Sequence, residues 1–231
     1  MSSPGTGPAP AGWGVLWDMD GTLVDTEPYW IASEFELVAA HGGTWSEEHA
    51  HHLVGFDLLD GGRYIREHGN VPLEPVEIVD LLLDGVIRRI TDVIPWRPGA
   101  RELLSALNEA GVPCALVTMS WRNFADSVLA QLPSGSFAAS ITGDEVPAGR
   151  GKPQPDPYLL GAAALGLEPA RCVAIEDSPT GARSALAARC GAVLGVPNVA
   201  SLDQVPGLML RDTLAGLSPD DLLALIGARS G

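Results

Sequence analysis

Positive charge is scarce in this 231-residue chain: 14 Lys and Arg stand against 29 Asp and Glu, a formal net charge of -15. Such a chain repels a nucleic-acid phosphate backbone or an anionic membrane surface, and a small anionic ligand binds only where local cations or a metal reverse the field. Cysteine is scarce as well. Cys114, Cys172 and Cys190 are odd in number and lack CxxC spacing, which argues against a disulfide framework and fits a reducing, cytoplasmic setting. No apolar run approaches the roughly 18 residues of a membrane span. The opening MSSPGTGPAPAG carries neither the basic nor the apolar segment of an export signal. Charged residues make up only 19% of the chain and hydrophobic residues 46%, a balance that excludes a disordered protein and supplies a real core. Nothing in the sequence marks a protein partner.

Residues 1–11 are Gly, Pro, Ser and Ala without periodicity and read as a flexible tail. Short apolar runs that end abruptly in polar residues follow. Gly14 to Trp17 ends at Asp18, Cys114 to Val117 at Thr118, Cys172 to Ile175 at Glu176-Asp177, Ala192 to Val196 at Pro197, and Gly207 to Leu210 at Arg211. Helix-like segments lie between them, at Ala100 to Ala110, Arg122 to Gln131, Asp156 to Leu165 and Thr180 to Cys190, each stopped by Gly or Pro. Apolar strands alternating with helices predict an α/β fold, a doubly wound, Rossmann-like parallel sheet whose ligands bind at the carboxyl ends of the strands.

One stretch breaks the alternation. Residues 27–94 contain only helical patterns: Pro28 to Ala40, Ser46 to Leu53, Leu58 to His68 and Pro75 to Ile90. That is far more than the roughly 4–6 residues of an ordinary connection. The expectation is a helical cap over 27–94, hinged near Thr26 and Pro95 on a core made of 12–26 and 95–231.

The polar residues at the strand ends would share one sheet edge: Asp18, Asp20, Thr118, Lys152, Glu176 and Asp177. Carboxylates gathered this closely repel one another unless they share a cation, and hard oxygen donors select Mg²⁺. A carboxylate such as Asp18 can attack phosphorus while Asp20 protonates the departing alcohol, and Thr118 and Lys152 can bind the phosphoryl oxygens.

Together Asp18-Met19-Asp20-Gly21-Thr22-Leu23-Val24-Asp25, the strand end Leu116-Val117-Thr118, Lys152-Pro153 and Ile175-Glu176-Asp177-Ser178 resemble the four motifs of the haloacid dehalogenase-like (HAD) phosphohydrolases. They stand in that family's order and span nearly the whole chain. The resemblance implies a HAD core with Asp18 as nucleophile and Asp20 as general acid/base whose carbonyl also touches Mg²⁺. It makes Thr118 and Lys152 phosphate holders and Asp177 a direct metal ligand, with Glu176 binding directly or through water. The position of the insertion is similar to that of the helical-cap subgroup, which includes β-phosphoglucomutase and small sugar-phosphate phosphatases.

Displacing halide needs no proton donor, so Asp20 argues for phosphoryl transfer. The mutase branch carries extra cap cations; at the matching positions this chain has Leu58 and Trp30, and Trp121 stands where that branch tends to have a lysine, with Arg122 the nearest cation. The expectation is therefore a phosphatase for a small phosphorylated metabolite, with a phosphosugar mutase as the alternative and a non-catalytic phosphate-binding regulator as a third reading. On the cap loop, Phe56 and Asp57 are candidates for substrate choice, with Phe56 equally readable as cap core. Glu27 reads as a sugar-hydroxyl ligand or as a helix N-terminal carboxylate. His49, His51 and His52 fall on different sides of a helix and read as solvated rather than as a zinc site.

Overall fold

The computed structural model describes residues 12–228, so the glycine- and proline-rich 1–11 stretch lies outside the described residues. Six strands form one parallel sheet in the order β3-β2-β1-β4-β5-β6. They are β1 (Gly14–Trp17), β2 (Cys114–Val117), β3 (Ala139–Ile141), β4 (Cys172–Glu176), β5 (Ala192–Gly195) and β6 (Met209–Leu210). The four-residue apolar runs become strands because alternate side chains can be buried on both faces. Val15, Trp17, Leu116 and Ile175 join one core cluster, while Leu16, Val117 and Ala174 join another on the opposite face.

The first face is covered by α5 (Ala100–Glu109), α6 (Arg122–Leu129) and α9 (Pro219–Ala228), through Leu103, Phe124 and Leu222. The second is covered by α7 (Asp156–Ala164) and α8 (Pro179–Ala187), through Tyr158, Ala162 and Ala185. Two elements have no counterpart in the sequence reading. Ala139-Ser140-Ile141 is an edge strand of half-buried residues without an apolar run. In α9, the stretch Leu222 to Ile226 is apolar at every position, so no helical period shows.

Between β1 and α5 lie α1 (Glu27–Ala40), α2 (Glu47–Leu53), α3 (Leu58–His68) and α4 (Pro75–Asp92). Ser46 caps α2 by accepting from the His49 amide, and Asp57 caps α3 by accepting from the Leu59 and Asp60 amides. Leu37, Val38, Ile65, Val71, Ile78 and Leu82 form a cluster belonging to these helices alone. A second face of α4, with Val79, Leu83, Val86 and Ile90, is continuous with the cluster under the sheet. The two chain crossings run side by side: the Asp25 amide donates to Pro95 O at 2.7 Å and the Arg97 amide to Leu23 O at 3.0 Å.

Candidate active site

Strand order reverses at β1: the chain leaves toward β2 and β3, then returns across β1 to β4. The carboxyl ends of β1 and β4 therefore border the crevice where such sheets bind ligands. Asp18 follows β1, and Glu176 with Asp177 ends β4; all three are buried. The loop after Asp18 turns at once. The Leu23 and Val24 amides donate back to Met19 O at 2.9 and 3.1 Å, and Gly21 adopts φ +82°, where a Cβ would collide with the Asp177 carboxylate. Only glycine satisfies both the dihedral and the close approach.

Lys152 comes from the loop before α7, and its side chain is only 5% exposed. Its Nζ donates to Asp18 Oδ1 at 2.7 Å and to Glu176 Oε1 at 2.6 Å. The Tyr158 hydroxyl, on the inward face of α7, donates to the same Glu176 oxygen at 2.6 Å. Glu176 Oε2 accepts from the Ser178 amide at 3.3 Å and hydroxyl at 3.0 Å. Asp177 Oδ1 accepts from Thr22 at 3.3 Å. Asp18 takes no second hydrogen bond among the described residues, so Oδ2 is free.

The electrostatics are those of an anionic site with one internal cation. Burial, reinforced by Glu176, pushes Asp18 up to about 7 despite the opposing effect of Lys152. Burial and the same two carboxylates push Asp177 well above the usual range. Burial alone would lower Lys152, but Asp18 and Glu176 reverse that and hold it above the ordinary lysine value. Oxygens of Asp18, Glu176 and Asp177 lie within 4.8 Å of one another, the one such metal-capable group among the described residues. Hard, anionic oxygen donors under strain from mutual repulsion suit a divalent cation such as Mg²⁺.

Asp20 stands apart from that trio. Its Oδ1 accepts from Thr26 and, at 3.3 Å, from Trp30 Nε1. Its Oδ2 accepts from Ser120 at 2.7 Å and from Thr118 at 3.4 Å. The Asp20 carboxyl is thus tied to Thr26 at the start of α1, to Trp30 within α1 and to the loop after β2. Thr118 Oγ1 accepts from the Ser120 amide at 3.0 Å, which fixes the hydroxyl at the cleft floor.

Asp18, Asp20, Thr118, Ser120, Lys152 and Asp177 line a cleft of about 740 Å³ between the sheet edge and helices α1 to α4. Phe56 lines it at 41% exposure, so it is not buried in the core of the helical layer. Asp57 lines it too, with Oδ1 engaged as the α3 cap. Glu27 borders the cleft, raised to about 7 by burial and by Asp20 and Asp25. Trp121 faces the cleft, whereas Arg122 is turned to Glu145, Asp126 and Ser140. Lys152 and Arg63 are the cations among the described lining residues, and Arg63 is paired with Asp60. His49 stacks on Trp45 with centroids 4.7 Å apart, and His52 sits against Tyr64 at 4.7 Å. Thr26, Ser120, Tyr158 and Ser178 were not singled out from the sequence, because single hydroxyls carry no spacing signature. Tyr158 had one signal, a polar tip on the apolar face of a helix six residues after Lys152.

A family model for haloacid dehalogenase-like hydrolases matches residues 14–189. Hexitol phosphatase A of Escherichia coli is 36% identical over 192 residues, which cover 77% of this chain and 80% of that protein. CbbY from Rhodobacter sphaeroides, solved in complex with phosphate, superposes with a TM-score of 0.81 at 26% identity, covering 92% of this chain and 99% of that one. β-Phosphoglucomutase from Clostridium difficile superposes with a TM-score of 0.79 at 20% identity, covering 94% and 98% of the two chains, and shares the fold.

Proposed function

The chain belongs to the haloacid dehalogenase-like hydrolases, and from that premise we propose a Mg²⁺-dependent phosphatase. It hydrolyses a small phosphorylated metabolite, a sugar phosphate or similar phosphomonoester, through an aspartyl-phosphate on Asp18. The carrying observation is the bridge from Lys152 to Asp18 and Glu176 on the cleft floor, with one Asp18 oxygen left free. The hexitol phosphatase relative supports the substrate class.

The Asp18 and Asp177 carboxylates and the Asp20 carbonyl would hold the metal, while Glu176, whose oxygens already take four hydrogen bonds, would act through water. The cation, when bound, offsets the negative charge of the carboxylates and of the phosphoryl oxygens. The free Asp18 oxygen attacks phosphorus, and the bond from phosphorus to the alcohol oxygen breaks as the new one forms. Asp20 gives its proton to that departing oxygen. Lys152 and the Thr118 hydroxyl bind the phosphoryl oxygens as charge builds on them. Water then attacks phosphorus, Asp20 takes the proton back, and the Asp18–phosphorus bond breaks to release inorganic phosphate.

Residues 27–94 act as the cap, with Phe56 and Asp57 on its loop taking part in substrate choice, and closure excludes water during the first transfer. Cys114 and Cys172, buried and free of disulfides, support a cytoplasmic location. Among the described residues, no helix is long and apolar enough to cross a membrane. A mutase must grip a second phosphate, and the described lining residues offer no unpaired cation on the cap side for it. Phosphate release across a metabolite panel, by wild type and by Asp18→Asn, tests the reading. Turnover of at least one member, abolished in Asp18→Asn, is expected; undiminished release in the variant refutes it.

A further inference from the structure

The cleft does not stop above the catalytic floor. Ala50, Ile65 and Leu82, all buried side chains of the helical layer, also line it, so it runs into the interior between the helices. Among those apolar walls sits one carboxyl group, Glu34, only 5% exposed. Its Oε2 accepts from Trp45 Nε1 at 3.1 Å. Its Oε1 takes no hydrogen bond among the described residues. A carboxyl oxygen with no protein partner, open to the wall of a cavity, is where a ligand group belongs.

Glu27, Trp30 and Glu34 follow one another at spacings of three and four residues, so they share one face of α1. Trp30 ties that face to the reaction centre through Asp20. Glu34 lies about 6 Å further along the helix axis than Trp30, and it lines the same cleft as Asp18.

We propose that Glu34 is a specificity-determining residue that hydrogen-bonds a hydroxyl at the far end of the substrate, so that the interior arm of the cleft selects an uncharged, polyhydroxylated tail. This rests on the phosphatase reading above. The chemistry of the wall agrees with it. Burial raises Glu34 to about 8, with Glu27 adding to the rise, so at neutral pH the group is a carboxylic acid. A carboxylic acid both donates and accepts, as a hydroxyl does, and it brings no positive charge to offset a second phosphate. Glu27 and Asp57 around the same opening disfavour an anionic tail further, while Asp60 and Arg63 are paired with each other.

The test uses the full chain with two kinds of substrate. One is a series of terminally phosphorylated straight-chain polyols of three to six carbons; the other is p-nitrophenyl phosphate, whose ring has no hydroxyl for Glu34. For wild type, kcat/KM rises about tenfold or more once the chain is long enough to reach Glu34. In Glu34→Leu that rise disappears, mainly through KM, while p-nitrophenyl phosphate turnover stays within about twofold. Glu34→Gln keeps an acceptor for Trp45 and a donor for the cleft, and recovers most of the preference.

A flat wild-type series overturns the assignment even if Glu34→Leu fails to fold. So does a Glu34→Leu enzyme that loses both kinds of substrate in parallel, or neither. If wild type releases no phosphate from any monoester, p-nitrophenyl phosphate included, the phosphatase reading itself fails and the assignment goes with it. Turnover of p-nitrophenyl phosphate beside a flat series overturns Glu34 alone.

Discussion

Removing one oxygen atom, by Tyr158→Phe, isolates a single contact of the buried site. Tyr158 is fully buried, and its hydroxyl donates to Glu176 Oε1 at 2.6 Å. The ring stays in place, so no apolar packing is lost, and Glu176 keeps Lys152 on one oxygen and Ser178 on the other. A hydrogen bond to a charged partner contributes about 1.5–3 kcal/mol. At roughly 2–4 °C per kcal/mol for a chain of this size, Tm falls by about 3–12 °C. The assay is thermal unfolding at pH 7 in chelator, which keeps metal binding from masking the loss. In the presence of Mg²⁺ the freed Glu176 carboxylate orients the metal less well, and the concentration giving half-maximal activity rises about tenfold. A Tm within about 1 °C of wild type, together with unchanged Mg²⁺ dependence, refutes the idea that Tyr158 holds Glu176 in place.

Three further outcomes follow from the geometry. Glu34 rises from 4.5 in the unfolded chain to about 8 when folded, so the folded state binds its proton more tightly. The stability this gives is complete below pH 4.5 and is lost as pH climbs through 8. The Tm of wild type relative to Glu34→Gln therefore falls between pH 5 and 8, at roughly 1.4 kcal/mol per tenfold in proton affinity, and a pH-independent difference contradicts the burial argument. Asp20→Asn lowers kcat by about 10²–10⁴ on alkyl phosphates but leaves a stoichiometric burst of p-nitrophenol, because that leaving group needs no proton; loss of the burst counts against Asp20 as the acid. Exhaustive chelation abolishes turnover and Mg²⁺ restores it; full activity in chelator contradicts the reading of Asp18, Glu176 and Asp177 as a cation site.

The strands that carry the catalytic groups were legible because they are fully buried: Gly14 to Trp17 and Cys114 to Val117 coincide with β1 and β2. Each apolar run ends where its carboxylate or hydroxyl begins, which puts Asp18, Thr118 and Glu176 on one edge. The edge strand β3 was not legible, since half-buried Ala139-Ser140-Ile141 has neither alternation nor an apolar run. Asp57 illustrates a second limit. Its place on a loop before a helix suits both a ligand contact and a cap, and the structure uses one oxygen for the cap. Glu34 was invisible for a different reason. In sequence it is one acidic residue in a helix that also carries Glu36, and only the packing of α1 shows that Glu34 is buried while Glu36 is exposed.

The most direct test is chemical trapping of the covalent state. Enzyme quenched during turnover and treated with borohydride should yield a peptide in which residue 18 has been reduced to homoserine, the product of an acyl phosphate at that side chain. Modification at residue 18 that requires substrate is the predicted result. Reduction at another carboxylate, or none at residue 18 while phosphate is being released, contradicts the account.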